Sequence, residues 1–362
     1  MNTRSVGYLL LIALTVGALV CPSAMADPRP GEYLKFYQMP LNNGFTPYLA
    51  PFPGSNPPGS AYGTVPSVAI FPGHDELSTA WRTSTTAPYS GEYMADDFAD
   101  YAGTPISHVR WWGSYLGEQQ HTGPPVSKFL ISFEYNVPAS VDPLSGATIP
   151  SHPDFTNPGN LHQIVNLTTG VAPPPPGFFT AKPVPTPAPP PPLEGLYEYN
   201  AELNLDRWFN EKKAAPGENN VYWLKIVALV DEQETGHLQW GWHNRDWSIK
   251  DDLAAKPGDT PDGAERFIPS AGLPGGGVWH FEDDAVNGGI TVFTAAGGGP
   301  VPVSVTQQGF VPQNYVPPLD GPSIIGQFSK DLAFELYTPV PEPCALGLML
   351  LGTIALTTIR RR

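Results

Sequence analysis

The chain has 362 residues, of which 41% are hydrophobic and 15% charged, and its formal net charge is −15. Such an acidic balance repels phosphate, which argues against nucleic acid and anionic lipid as partners and leaves cations and neutral ligands open. Forty-five prolines and 37 glycines exclude long helices, while an aromatic content of 11% suits packed β-layers.

The first 26 residues read as a signal peptide: Arg4, an apolar run from Gly7 to Val20, and a small-residue cleavage site at Ala24-Met25-Ala26. Val20 before Cys21 argues against lipoprotein processing, so Asp27 is the expected mature N-terminus. From 27 to 89 the chain is dense in Pro, Gly, Ser and Asn and reads as an irregular arm over a core. Lys128 to Asn136 alternates Phe129, Ile131, Phe133 and Tyr135 against Ser132 and Glu134, the pattern of a half-buried strand. Val171 to Pro192 holds two proline runs and reads as a stiff polyproline insertion, a spacer that could be shortened with little loss of stability.

Tyr197 to Leu205 alternates again, with Tyr197, Tyr199, Ala201 and Leu203 on one face. Val221 to Val230 is apolar on both faces except at Lys225, as expected of a central strand between layers. Leu238, Trp240 and Trp242, then Leu332, Phe334 and Leu336, add two more alternating strands. Polar loops rather than helical crossovers join these strands. The expected fold is therefore all-β: an antiparallel two-sheet β-sandwich of jelly-roll type over 90–339, loop-rich, with the insertion 171–192 inside one domain.

Candidate chemistry is sparse. Removing both end segments takes Lys+Arg from 19 to 15 and Asp+Glu from 34 to 33, a body charge near −18. Cys21 and Cys344 both lie in those segments, so the body has no disulfide, thiol nucleophile or Cys-ligated metal. Calcium is the admissible metal, with Asp96, Asp97, Asp251, Asp252, Asp283 and Asp284 as candidate ligands in acidic loops. The alternative for the first pair is that Asp97 caps backbone at a strand end while Asp96 faces water. Trp247 to Ala254 and Trp279 to Val286 share a Trp-x-(Ile/Phe)-charged-Asp-Asp pattern, consistent with a duplicated hairpin or with chance. His237, His243 and His280 lack metal-ligand spacing, and no nucleophile elbow or phosphate loop is present. The Asn166-Leu-Thr168 sequon carries little weight in a bacterial chain. Trp111, Trp112, Trp240 and Trp242 are the candidate sugar platform, because a flat ring face suits a pyranose.

At the C-terminus Pro341-Glu342-Pro343 precedes sixteen uncharged residues, Cys344 to Ile359, and then Arg360, Arg361 and Arg362. As a helix those sixteen span roughly 24 Å, short of a hydrocarbon core of about 30 Å. This ordered trio, 340–362, closely resembles the PEP-CTERM sorting signal. The resemblance implies export by signal peptidase, transient anchoring in the inner membrane, cutting by an exosortase, and release to the cell surface or a polysaccharide matrix. Within the body, Tyr93-Met-Ala-Asp-Asp-Phe98, the Trp111-Trp-Gly-Ser-Tyr115 segment and Asp331-Leu-Ala-Phe-Glu-Leu336 resemble an uncharacterised bacterial domain of PEP-CTERM proteins, for which no activity is implied. The expected function is a non-enzymatic surface or matrix protein that is structural, adhesive or weakly glycan-binding. The alternative is a secreted carbohydrate-active enzyme with two carboxylates about 5 to 9.5 Å apart.

Overall fold

The computed structural model describes residues 31–40, 75–245 with short interruptions, strand segments between 253 and 312, and 331–339. Its strands are β1 (Glu32–Gln38), β2 (Asp75–Leu77), β3 (Thr79–Arg82), β4 (Tyr89–Gly91), β5 (Met94–Phe98), β6 (His108–Tyr115) and β7 (Lys128–Val137). There follow β8 (Ser140–Val141), β9 (Thr148–Ile149), β10 (His152–Asp154), β11 (Leu161–Leu167), β12 (Phe178–Pro183), β13 (Leu196–Glu202), β14 (Tyr222–Asp231) and β15 (Trp240–His243). The last are β16 (Arg266–Pro269), β17 (Gly277–His280), β18 (Val286–Asn287), β19 (Thr291–Ala296), β20 (Gly299–Ser304), β21 (Val311–Pro312) and β22 (Phe334–Pro339). Among the described residues a 3-10 turn, Leu205–Arg207, follows β13, and a short α-helix, Glu232–Thr235, occupies the charged turn after β14. Among the described residues no helix is long and apolar enough to cross a membrane.

β14 is the centre of the first layer because all ten of its residues are buried. Tyr222, Leu224, Ile226, Ala228 and Val230 enter the main core, while Trp223, Val227 and Leu229 enter a second cluster on the opposite face. On one edge β14 pairs antiparallel with β7, Ile226 opposite Ile131. On the other it pairs antiparallel with β5 and then parallel with β3. β11 lies beyond β7.

The second layer is built on β6, with β13 on one edge and β22 followed by β15 on the other. β1 extends it past β22, and β2 past β15. Inward side chains of the layers meet as aromatic pairs, Trp111 to Phe129 at 5.2 Å, Phe129 to Trp240 at 4.9 Å and Phe98 to Phe334 at 6.4 Å. Burying one such ring contributes several kcal/mol, and truncating it to Ala costs about 3–5 kcal/mol. At Gly113 a Cβ would collide with Gly241 O and the Trp240 ring, which is why a glycine follows the two tryptophans.

Three expectations are corrected. The all-β sandwich stands, but its strands are not all antiparallel, since β14–β3 and β11–β12 are parallel pairs. The stretch 27–89 is not merely an irregular arm: β1, β2 and β3 lie within it and extend both layers, and β4 begins at its last residue. Each is short and lacks a sustained period, so only long-range pairing defines it as strand. The proline-rich stretch 171–192 is not a plain spacer, because β12 runs through it with Phe179 fully buried in the core.

Candidate functional site

β11 and β12 join the two layers. They run parallel where Asn166 and Leu167 face Phe178 and Phe179, and Thr168 N donates to Phe179 O at 2.8 Å. Beyond that point β11 has ended, while β12 continues along β13 to Pro183. The divergence opens a groove of about 560 Å³ between Leu167-Thr168-Thr169, Thr180-Ala181-Lys182, Tyr197, and the loop after β6 with Tyr115, His121, Gly123 and Pro125.

Strand parity sets what the groove presents. Val184 N donates to Leu196 O at 2.9 Å, so alternate residues of β12 (184, 182, 180) turn their backbone toward β13. Ala181 falls between them and directs its N–H and C=O away from β13, toward the groove that Thr168, Thr169 and Thr180 also line. Lys182, mostly exposed, is paired with Glu198 at 3.0 Å at the rim. Among the described residues, no Asp or Glu lines the groove.

The far wall is preorganised. His121 stacks on Tyr115 with centroids 4.0 Å apart, and its Nδ1 and Nε2 lie 2.7 Å from Glu118 Oε2 and 2.9 Å from Pro124 O. Its backbone N donates to Tyr197 OH at 3.3 Å, and Val126 N donates to Tyr115 OH at 3.1 Å. Tyr197 meets Tyr115 edge to face at 5.2 Å. Burial raises the Tyr115 pKa, which keeps the phenol neutral.

The expected sugar platform is not there. Trp111, Trp240 and Trp242 have no exposed surface and Trp112 has 5%. Trp111 and Trp112 do face opposite sides, but Trp112 packs with Leu196 and Ala333 in a small core of its own. Trp240 Nε1 donates to Tyr199 OH at 3.0 Å and Trp242 Nε1 to Ala333 O at 2.9 Å, so even their polar edges are used internally.

Asp96 and Asp97 are also corrected. Both lie in β5 and both are buried, on opposite faces as adjacent strand residues must be, and neither forms a loop ligand site. Asp96 does not face water but holds backbone: Oδ1 accepts Asp97 N at 3.1 Å and Oδ2 accepts Leu332 N at 2.6 Å. Burial, followed by the nearby Asp331 charge, raises the Asp96 pKa well above the usual carboxylate range. Asp331 is held by Arg245 at 3.2 Å. The Ala-Asp-Asp-Phe and Asp-Leu-Ala-Phe motifs, over 230 residues apart in sequence, thus form one structural latch.

Among the described residues no group of three or more acidic, His or Cys side chains converges as a metal site. Asp251, Asp252, Asp283 and Asp284 lie outside the described residues, as do Pro341, Glu342, Pro343, Arg360, Arg361 and Arg362. His243 Nδ1 lies 2.9 Å from Asp75, and His237 stacks on Trp81 and contacts Glu232 at 2.7 Å, so each imidazole has its own carboxylate partner. Of the groove residues, only Tyr197 stood out by strand alternation. Thr169, Thr180 and Lys182 carry no motif, Thr168 only the sequon, and the groove exists because β11 and β12 part toward different layers.

No curated protein and no solved structure matches the chain. A family model matches residues 62–273, which include every residue lining the groove. The chain therefore belongs to the family described as a domain of unknown function, DUF7901.

Proposed function

We propose that this chain is an exported, non-enzymatic surface or matrix protein whose β11–β12 groove holds a segment of neutral polysaccharide. The carrying observation is the lining itself: an aromatic wall at Tyr197, threonines and the Ala181 backbone, with no carboxylate among the described lining residues. Hydroxyl and amide groups exchange hydrogen bonds with sugar hydroxyls, and an aromatic ring face takes the apolar face of a pyranose. Glycosidic hydrolysis needs two carboxylates flanking the bond, which this lining does not supply, so binding fits the groove better than the enzymatic alternative. The net charge of −15 favours an uncharged glycan over an anionic one.

Titration of neutral oligosaccharides against the full chain is expected to give weak, saturable binding. Tyr197→Ala should weaken it by about fivefold or more, in line with roughly 1 kcal/mol for a lost ring contact. Unchanged affinity in the folded variant would move the site elsewhere.

Export and sorting rest on the two end segments. Changing Pro341-Glu342-Pro343 to three alanines is expected to leave the chain uncut in the membrane fraction, because the sorting signal is read as a unit. Recovery of cleaved variant from the matrix would refute that reading.

A further inference from the structure

Lys35 sits where β1 departs from regular pairing: the register with β22 shifts between Leu34 and Phe36. Bulges re-aim side chains, and this one turns the Lys35 side chain inward, where none of it is exposed. Its Nζ lies 3.0 Å from Asp100 Oδ1, 2.9 Å from Asp100 Oδ2, and 2.9 Å from Glu211 Oε2. The two carboxyl side chains are 1% and 4% exposed. Each member of this triad stands within two residues of an aromatic anchor. Phe36 and Phe98 meet at 5.8 Å, and Phe209 stacks on Phe133 at 4.9 Å.

We propose that Lys35 and Asp100 join in a self-catalysed amide cross-link, with Glu211 as the proton carrier. Lys35 first passes a proton to Asp100, so that both are neutral. The Nζ lone pair then attacks Cγ of Asp100, the C–N bond forms, and one C–O bond breaks. Glu211 gives its proton to the departing oxygen and recovers one from Nζ, so it ends unchanged. Ammonium plus carboxylate become amide plus one water; nothing is oxidised or reduced, and no co-reactant is needed.

Three features favour the reaction. Burial penalises the ammonium–carboxylate pair more than the neutral amine and acid. Nζ is held within 3.0 Å of both Asp100 carboxyl oxygens, against the carbon they share, which supplies the entropic advantage of an intramolecular reaction. Burial first, and the adjacent Asp100 charge second, raise the Glu211 pKa to about 8, so it carries a proton to give at neutral pH. The product suits the chain. The body between the end segments contains no cysteine, and among the described residues β1 pairs with β22 alone, so an amide would tie this strand to the segment after β5 as a disulfide otherwise would.

Full-length protein, denatured and digested, is expected to yield one branched peptide containing Lys35 and Asp100. Its mass should equal the sum of the two linear peptides less one water, and trypsin should fail to cut after Lys35. Glu211→Ala keeps both partners and should release them as two linear peptides. Asp100→Ala, which removes the acyl group, should do the same. Linear Lys35 and Asp100 peptides of full mass from folded wild-type protein would overturn the proposal. Because that reading needs no variant, a variant that misfolds does not protect the idea. Full cross-linking in folded Glu211→Ala would remove Glu211 from the reaction.

Discussion

Lys225→Met is expected to destabilise the protein by about 3–5 kcal/mol, a large part of the 5–15 kcal/mol typical of a folded domain. Lys225 is the one charge before the terminal Asp231 of the otherwise apolar β14, and its Nζ pairs with Glu134 on β7, both side chains essentially unexposed. Ser132 Oγ donates its single hydrogen to Glu134 at 2.8 Å. His162 Nδ1, 2.6 Å from that same Ser132 oxygen, must therefore be the protonated nitrogen and donate to it. Burial, followed by the Lys225 charge, lowers the His162 pKa to about 4, so at neutral pH the imidazole is uncharged and Lys225 alone balances Glu134. Removing Lys225 leaves a buried carboxylate with one hydroxyl partner. The double variant Lys225→Met, Glu134→Leu removes both charges and should recover most of the loss. Chemical denaturation that shows Lys225→Met within about 0.5 kcal/mol of wild type would mean that solvent reaches the pair.

Replacing Phe178–Pro183 with an equal length of Gly and Ser is expected to abolish cooperative unfolding, or to lower stability by more than about 4 kcal/mol. Phe179 alone contacts the rings of Phe129, Trp111 and Tyr199 at 5.1, 6.2 and 6.2 Å, and truncation of such a residue costs about 3–5 kcal/mol. The swap also removes the ladder with β13 and the parallel join with β11, so each layer gains an unpaired edge. A cooperative transition with an unchanged midpoint would restore the spacer reading of this segment. Conversion of Phe179 to Leu, which keeps most of the buried volume, should cost much less and serves as the control.

Strand identity was legible wherever the period of two ran for seven or more residues. Tyr197 and Tyr199 alternate with Glu198 and Asn200 because β13 has one buried face, and the double-sided apolar run of β14 announced a strand between layers. β1, β3 and β12 were not legible. A short strand flanked by proline carries too few positions for a period, and its pairing depends on residues as remote as Leu336 for Phe36 or Leu229 for Ala80.

The roles of individual side chains divide in the same way. Composition and local pattern by themselves established an acidic, cysteine-free, all-β body, since charge, thiol count and helix propensity are properties of residues and their immediate neighbours. Whether Trp111 offered its face to a sugar or to Phe129 depended on what lay opposite. Asp96 serves Leu332 N rather than a cation because β5 ends beside the start of the last strand. The Lys35–Asp100–Glu211 triad joins three segments up to 176 positions apart. Such meetings are set by the long-range pairing of strands, which has no sequence period of its own, and only the tertiary structure decided them.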